Sequence, residues 1–236
     1  VIPISDDNRG RRSTPYVSWT IIAINLLIYA GQFLLPDRDN FEFIYRWGAI
    51  PLDVSEGHRV FTLVTCIFLH GSWLHVGGNM LFLWVFGDNV EDVMGHVHYL
   101  VFYLVTGVAA SAAQVWLDTS SQIPLVGASG AISGVLAAYI VLFPRGRIIS
   151  LVFLGVFVTT LFLPAWIMIG YWIALQALQG FLSLGVRTAQ TGGVAYFAHI
   201  GGFIAGLVLV WFFADRDRIS TQRAARQGYL ETRRHR

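Results

Sequence analysis

The chain has 236 residues, of which 55% are hydrophobic and only 13% charged, and its net charge is +2. A soluble domain carries roughly a quarter charged residues, so this composition excludes an ordinary soluble protein and points to one held in a membrane. The one cysteine, Cys66, excludes an internal disulfide framework and a paired-cysteine zinc or redox site. All basic residues are arginine, a bias without functional content, and no nucleic-acid partner is expected.

Residues 1–16 are polar and lead into an apolar stretch too long for a signal core, so no cleavable leader is expected. The first span runs from Val17 to Leu35 and is stopped by Pro36. The loop over 37–73 mixes aromatics with charge, as in FEFIYRW (41–47), a composition suited to the outer membrane interface. The second span extends from about Leu74 to Phe86 and a little beyond, and the third from Tyr99 to Leu117. The fourth is short, Ala128 to Phe143, ended by Pro144. No charge occurs from Ile148 to Val186 and nothing in the middle reads as a turn, so a single long, bent fifth span is predicted there. The sixth is Val194 to Ala214, followed by a basic tail over 215–236.

About 20 helical residues cross a bilayer core. The expected architecture is therefore all-α: a six-helix membrane bundle over 17–214, between a cytoplasmic N-terminal segment and a cytoplasmic tail. This arrangement places twelve arginines inside and four outside, in accord with the positive-inside rule. A seventh span would move the tail and its arginines outside.

Polar side chains within a span are costly, and ionisable ones there point to function. Ser129, His199, His75 and Asn79 stand out. Counted from the nearest cytoplasmic charge, Ser129, His199 and His75 all lie ~24–25 Å above the inner edge. Asn79 is one turn deeper, on the face of His75. Gly130-x-x-x-Gly134 and Gly202-x-x-x-Gly206 are small-residue faces that let the fourth and sixth spans approach closely, carrying Ser129 towards His199. Each signal alone has a plainer meaning. Such glycines pack helices, a serine in a span bonds back to its own helix as Ser133 is placed to do, and a lone histidine bridges helices. Their coincidence at one depth favours a site.

The chemistry narrows by elimination. There is no HExxH motif, and His70, His75, His96 and His98 lack zinc spacing, so no metal is expected. The spans hold no aspartate pair, and GASGA lacks the last glycine of GxSxG. A serine activated by a histidine remains, read as a dyad because no buried acid is available to orient the imidazole. The Asn79 amide, His75 and the Ser129 backbone N–H are candidate donors to the anion formed on attack.

The stretches FLHGSWLHVGGNMLFLWVFGDNVED (68–92), GASGAISG (127–134) and AHIGGFIAG (198–206), in this order, resemble the rhomboid family of intramembrane serine proteases. The resemblance covers about residues 60–214. It implies a six-helix fold with the nucleophile at Ser129, the base at His199 and oxyanion stabilisation by His75 and Asn79, without a cofactor. It also implies structural roles for Gly87 and Glu91 and a supporting role for His70 in its loop. The implied substrates are single-span transmembrane proteins, cut within the lipid bilayer near the extracytoplasmic face. Two positions depart from the family pattern. Ser133 stands where many members carry an aromatic residue under the base, and Arg46-Trp47 reverses a Trp-Arg pair of the first loop.

Two other functions fit the same residues: a non-catalytic rhomboid-like protein that escorts membrane clients, and a polar-solute channel lined by Asn79 and His75. The expected location is a prokaryotic cell membrane with both termini cytoplasmic. Residues 180–193, GFLSLGVRTAQTGG, are expected to cap the site.

Overall fold

The computed structural model describes residues 1–222 and Ala224, apart from Asp7, Arg9, Val156 and 184–194. Strand β1 spans Ile2–Asp6, and helix α1 spans Tyr16–Leu34, ending ahead of Pro36 as its sequence requires. The following loop is largely helical. It contains the amphipathic α2 (Asp37–Trp47), with Asp37 and Asp39 in its first turn and Arg46 in its last, a placement that complements the helix dipole. Two short helices follow, α3 (Pro51–Ser55) and α4 (Thr62–Thr65), then a 3-10 turn over Cys66–Phe68. The guanidinium of Arg59 donates to the carbonyls of Tyr45 and Arg46 and so ties off the end of α2.

The bundle is formed by α1 with α5 (Trp73–Met94), α6 (His96–Leu117), α7 (Ser129–Leu142), α8 (Ala165–Ser183) and α9 (Tyr196–Phe213). Four of these, α1, α6, α8 and α9, are long and apolar enough to cross a membrane by length and composition. Helix α5 has 22 residues but carries Asp88, Glu91 and Asp92 near its end, and α7 has only 14. Nearly every residue of α7 is buried, so it forms the centre of the bundle rather than a lipid-facing wall.

The acidic end of α5 would be unfavourable beside its own C-terminal carbonyls. It is stabilised by acting as a cap for other segments. The Glu91 carboxylate accepts from the Val17 and Ser18 backbone N–H groups, the otherwise unpaired donors that start α1, and from the Ser18 hydroxyl. Asp92 accepts from the backbone of Arg12 and Ser13, and Asp88 pairs with Arg11. Gly87 lets α5 close on its neighbours, since a Cβ there would lie 2.7 Å from the Tyr99 hydroxyl and 2.9 Å from that of Ser18. These contacts explain why the sequence carries Gly87 and Glu91.

The expected helical membrane bundle is borne out, but the long, bent fifth span needs correction. Residues Arg147–Leu154 and Phe157–Pro164 form an antiparallel hairpin, β2 and β3, and β1 pairs with β2 to complete a three-stranded sheet in the order β1-β2-β3. Among the described residues of that region, only Ala165–Ser183 is helical. The run is rich in β-branched and aromatic residues, which favour strands. Gly155, at φ +65°, begins the turn. Absence of charge marked the segment as apolar, but it does not distinguish a strand from a helix. The side chains of Phe153, Phe157 and Phe162 are exposed on this hairpin. The N-terminal segment is correspondingly not a simple lead-in. The Asp6 carboxylate in β1 accepts from the Asn89 amide and the Tyr139 hydroxyl, each at 2.7 Å, which joins the sheet to α5 and α7.

Helices α7 and α9 meet backbone to backbone, and α6 packs its small side chains against both. A Cβ at Gly202 would strike the carbonyl oxygen of Gly130, and one at Gly206 would lie 2.5 Å from that of Gly134. Gly130 and Gly134 face α6, where added Cβ atoms would lie 2.5 Å from Ala110 and Thr106. The glycine pairs thus bring the backbones of α7 and α9 together, and they also admit α6.

Candidate active site

Ser129 is the first residue of α7, held where the loop 118–128 delivers the chain to the helix. That loop is fixed by backbone pairing of Ala49 with Leu125 and by the Gly127 N–H donating to the Cys66 carbonyl at 2.9 Å. Gly127 has φ +125°, a conformation that disfavours a side chain. A Cβ at this position would also lie 2.8 Å from the His75 ring and 3.7 Å from the Asn79 amide nitrogen. Gly127 therefore keeps open the space between Ser129 and those two side chains.

From α9, the buried His199 directs Nε2 to the Ser129 hydroxyl at 2.7 Å. Its other ring nitrogen, Nδ1, lies 2.7 Å from Oε1 of Gln176 on α8. Trp172, one turn earlier on α8, lies against the imidazole with ring centroids 5.6 Å apart and planes 38° apart. The aromatic support absent at Ser133 thus comes from a different helix. Ser133 itself donates to the Ser129 carbonyl at 2.6 Å, the back-bond expected of a serine in a span.

His75 and Asn79 lie on α5, whose start is capped by the Ser72 hydroxyl accepting from the His75 N–H. The Asn79 amide nitrogen is 2.9 Å from Nε2 of His70. A carboxamide has two N–H donors, so this bond orients the group and leaves one donor free. His70 is buried in the linker before α5 and is clamped by Gln32 of α1, which accepts from its backbone N–H and donates to its carbonyl, both at 3.2 Å. Burial, reinforced by His75, pushes the His70 pKa down to about 3. The ring is therefore neutral and available as the acceptor that Asn79 needs.

The four residues singled out by depth share one end of the bundle. Ser129 and His199 touch, and His75 and Asn79 face Gly127 beside them. Gln176, Trp172 and Gln32 were missed. The two glutamines carried the same signal as Asn79, a polar side chain in an apolar span, whereas Trp172 carried none. A cavity of ≈ 30 Å³ adjoins Ser129 and is lined in part by Ser111, Gly127 and Ala198. Among the described residues no group of three or more His, Cys, Asp or Glu could hold a metal ion. Of the expected cap, Gly180–Ser183 is the last turn of α8 rather than loop, and the remainder lies outside the described residues.

Residues 57–216 match the Rhomboid domain family model. The chain is 26% identical over 209 residues to the mitochondrial Rhomboid protein 1 of Saccharomyces cerevisiae, covering 87% of this chain and 55% of that protein. It is 29% identical over 214 residues to the chloroplastic Rhomboid-like protein 11 of Arabidopsis thaliana, covering 89% and 69% respectively. It is 30% identical over 149 residues to the mitochondrial Presenilin-associated rhomboid-like protein of Mus musculus, covering 61% of this chain and 35% of that protein. The chain thus spans about half the length of the yeast relative and a third of the mouse one. The expectation of a prokaryotic membrane is not borne out, because these relatives are mitochondrial or chloroplastic.

Proposed function

The chain belongs to the rhomboid family, and from that premise we propose that it is an intramembrane serine protease with Ser129 as nucleophile and His199 as general base. The observation that carries this reading is the 2.7 Å contact between the Ser129 hydroxyl and His199 Nε2. A hydroxyl is a weak nucleophile until an adjacent base takes its proton. As Ser129 Oγ bonds to the peptide carbonyl carbon, its proton passes to Nε2 and negative charge gathers on the carbonyl oxygen. The free amide N–H of Asn79, a ring N–H of His75 and the Ser129 backbone N–H are the donors available to that oxygen. Collapse expels the amine, which takes the proton from His199. A water molecule, activated by the same base, then releases the acyl group and restores Ser129.

The substrates are transmembrane proteins, single-span ones in the simplest case. The arginine bias supports an orientation with both termini cytoplasmic and the site towards the opposite face. The Ser129–His199 pair favours this function over the client-escort and channel alternatives, neither of which needs a hydroxyl on an imidazole. In proteoliposomes, the protein is expected to cleave a single-span model substrate and to react with a serine-directed fluorophosphonate. Ser129→Ala and His199→Ala should each abolish both while leaving the thermal midpoint near that of the unmodified chain. Continued cleavage by Ser129→Ala would refute the nucleophile assignment.

A further inference from the structure

We propose that Gln176 is a positioning residue for the base. In this arrangement α8, through Gln176 and Trp172, sets both the tautomer and the ring plane of His199. The inference rests on the protease reading above. For Nε2 to accept the Ser129 proton, the neutral imidazole must carry its own hydrogen on Nδ1. Gln176 Oε1, at 2.7 Å, accepts that Nδ1–H. Trp172 and Gln176 are four residues apart and share one face of α8. One holds the face of the imidazole and the other its edge.

No other described contact performs this task. The glycine contact between α7 and α9 sets the backbone separation of Ser129 and His199, but it does not limit rotation of the imidazole about its side-chain bonds. Ser133, which stands where the family pattern often has an aromatic residue, directs its hydroxyl to the Ser129 carbonyl. Orientation therefore falls to α8. A neutral amide is suited to the place because it holds an N–H without burying a charge beside the base, which would be costly. The opposite amide orientation would donate to Nδ1, put the imidazole hydrogen on Nε2 and leave Ser129 without a base. A glutamate at this half-buried position keeps an acceptor oxygen for Nδ1–H, so it retains the productive tautomer.

The test compares Gln176→Met, which keeps length and volume but removes the acceptor, with Gln176→Glu, which keeps an acceptor. Each is assayed in proteoliposomes for kcat and KM on a single-span substrate, fluorophosphonate labelling rate and thermal midpoint. Gln176→Met is expected to lower kcat and the labelling rate by about 10- to 100-fold, as for a misaligned base, with KM and midpoint unchanged. Gln176→Glu should recover most of the loss. Labelling of Gln176→Met at the wild-type rate would overturn the proposal. So would equal impairment of both variants with a lowered midpoint, the mark of a packing residue. If the wild-type chain neither cleaves nor labels, the protease reading fails. Nitrogen-15 shifts of the His199 ring then still decide on Gln176: the Nδ1–H tautomer should dominate in wild type and lose its dominance in Gln176→Met.

Discussion

His70 shows how a residue without a reacting atom shapes the site. It bonds to Asn79, is held by Gln32, and is kept neutral by burial. Its folded pKa is depressed, so between 6.5 and about 3 the unfolded chain binds a proton that the folded chain refuses. Stability is then present in full above pH 6.5 and is lost as the pH falls through that window, with a slope of at most about 1.4 kcal/mol per pH unit. Thermal midpoints in detergent should fall for the wild type relative to His70→Gln as the pH is lowered from 7 to 4. Parallel curves for the two proteins would show that His70 does not titrate in this way.

At the scale of elements, the bundle depends on backbone contact between helices. The Cβ of an alanine at Gly202 would meet a backbone carbonyl of α7, which cannot rotate away as a side chain would. The helices must separate, and a displacement near 1 Å between nucleophile and base can cost about 10²-fold in rate. Gly170 on α8 has nothing within 4 Å of its Cβ position, and alanine there relieves the helix cost of glycine. Gly202→Ala is expected to lose at least about 10²-fold in cleavage rate, whereas Gly170→Ala should cleave normally with an unchanged or raised midpoint. Normal cleavage by Gly202→Ala would show that α7 and α9 do not need this approach.

For the whole molecule, the number of crossings depends on α7. Its 14 residues are short for a bilayer, yet it lies among longer helices that bury it. If α7, α8 and α9 each cross, the ends of that three-helix run lie on opposite sides. With Cys66 replaced by serine, an impermeant maleimide should label Ser120→Cys and Arg216→Cys, both exposed positions, from opposite faces of sealed vesicles. Labelling of both from one face would remove the six-span topology. The sheet adds a second global feature. It joins Ile2 to Leu151 and, through Asp6, anchors the N-terminal strand to α5 and α7.

The sequence by itself determined whatever follows from composition or from distance along a helix. Its low charge content required a membrane, Pro36 ended α1, and the constant rise per residue put Ser129, His199 and His75 at one level. Tertiary structure alone decided what lies beside a residue at that level. Depth along a helix does not give the direction in which a side chain faces, so Gln176, Trp172 and Gln32 became part of the site only when α8 and α1 were packed against it. The hairpin is the same limitation in another form. An uncharged run suits a helix and a strand equally, and strand β2 is paired on one side by β1, a partner some 145 residues away in the chain. Long-range pairing of that kind leaves no local periodic signal, because the hydrogen bonds that stabilise it form between segments that are adjacent only after folding.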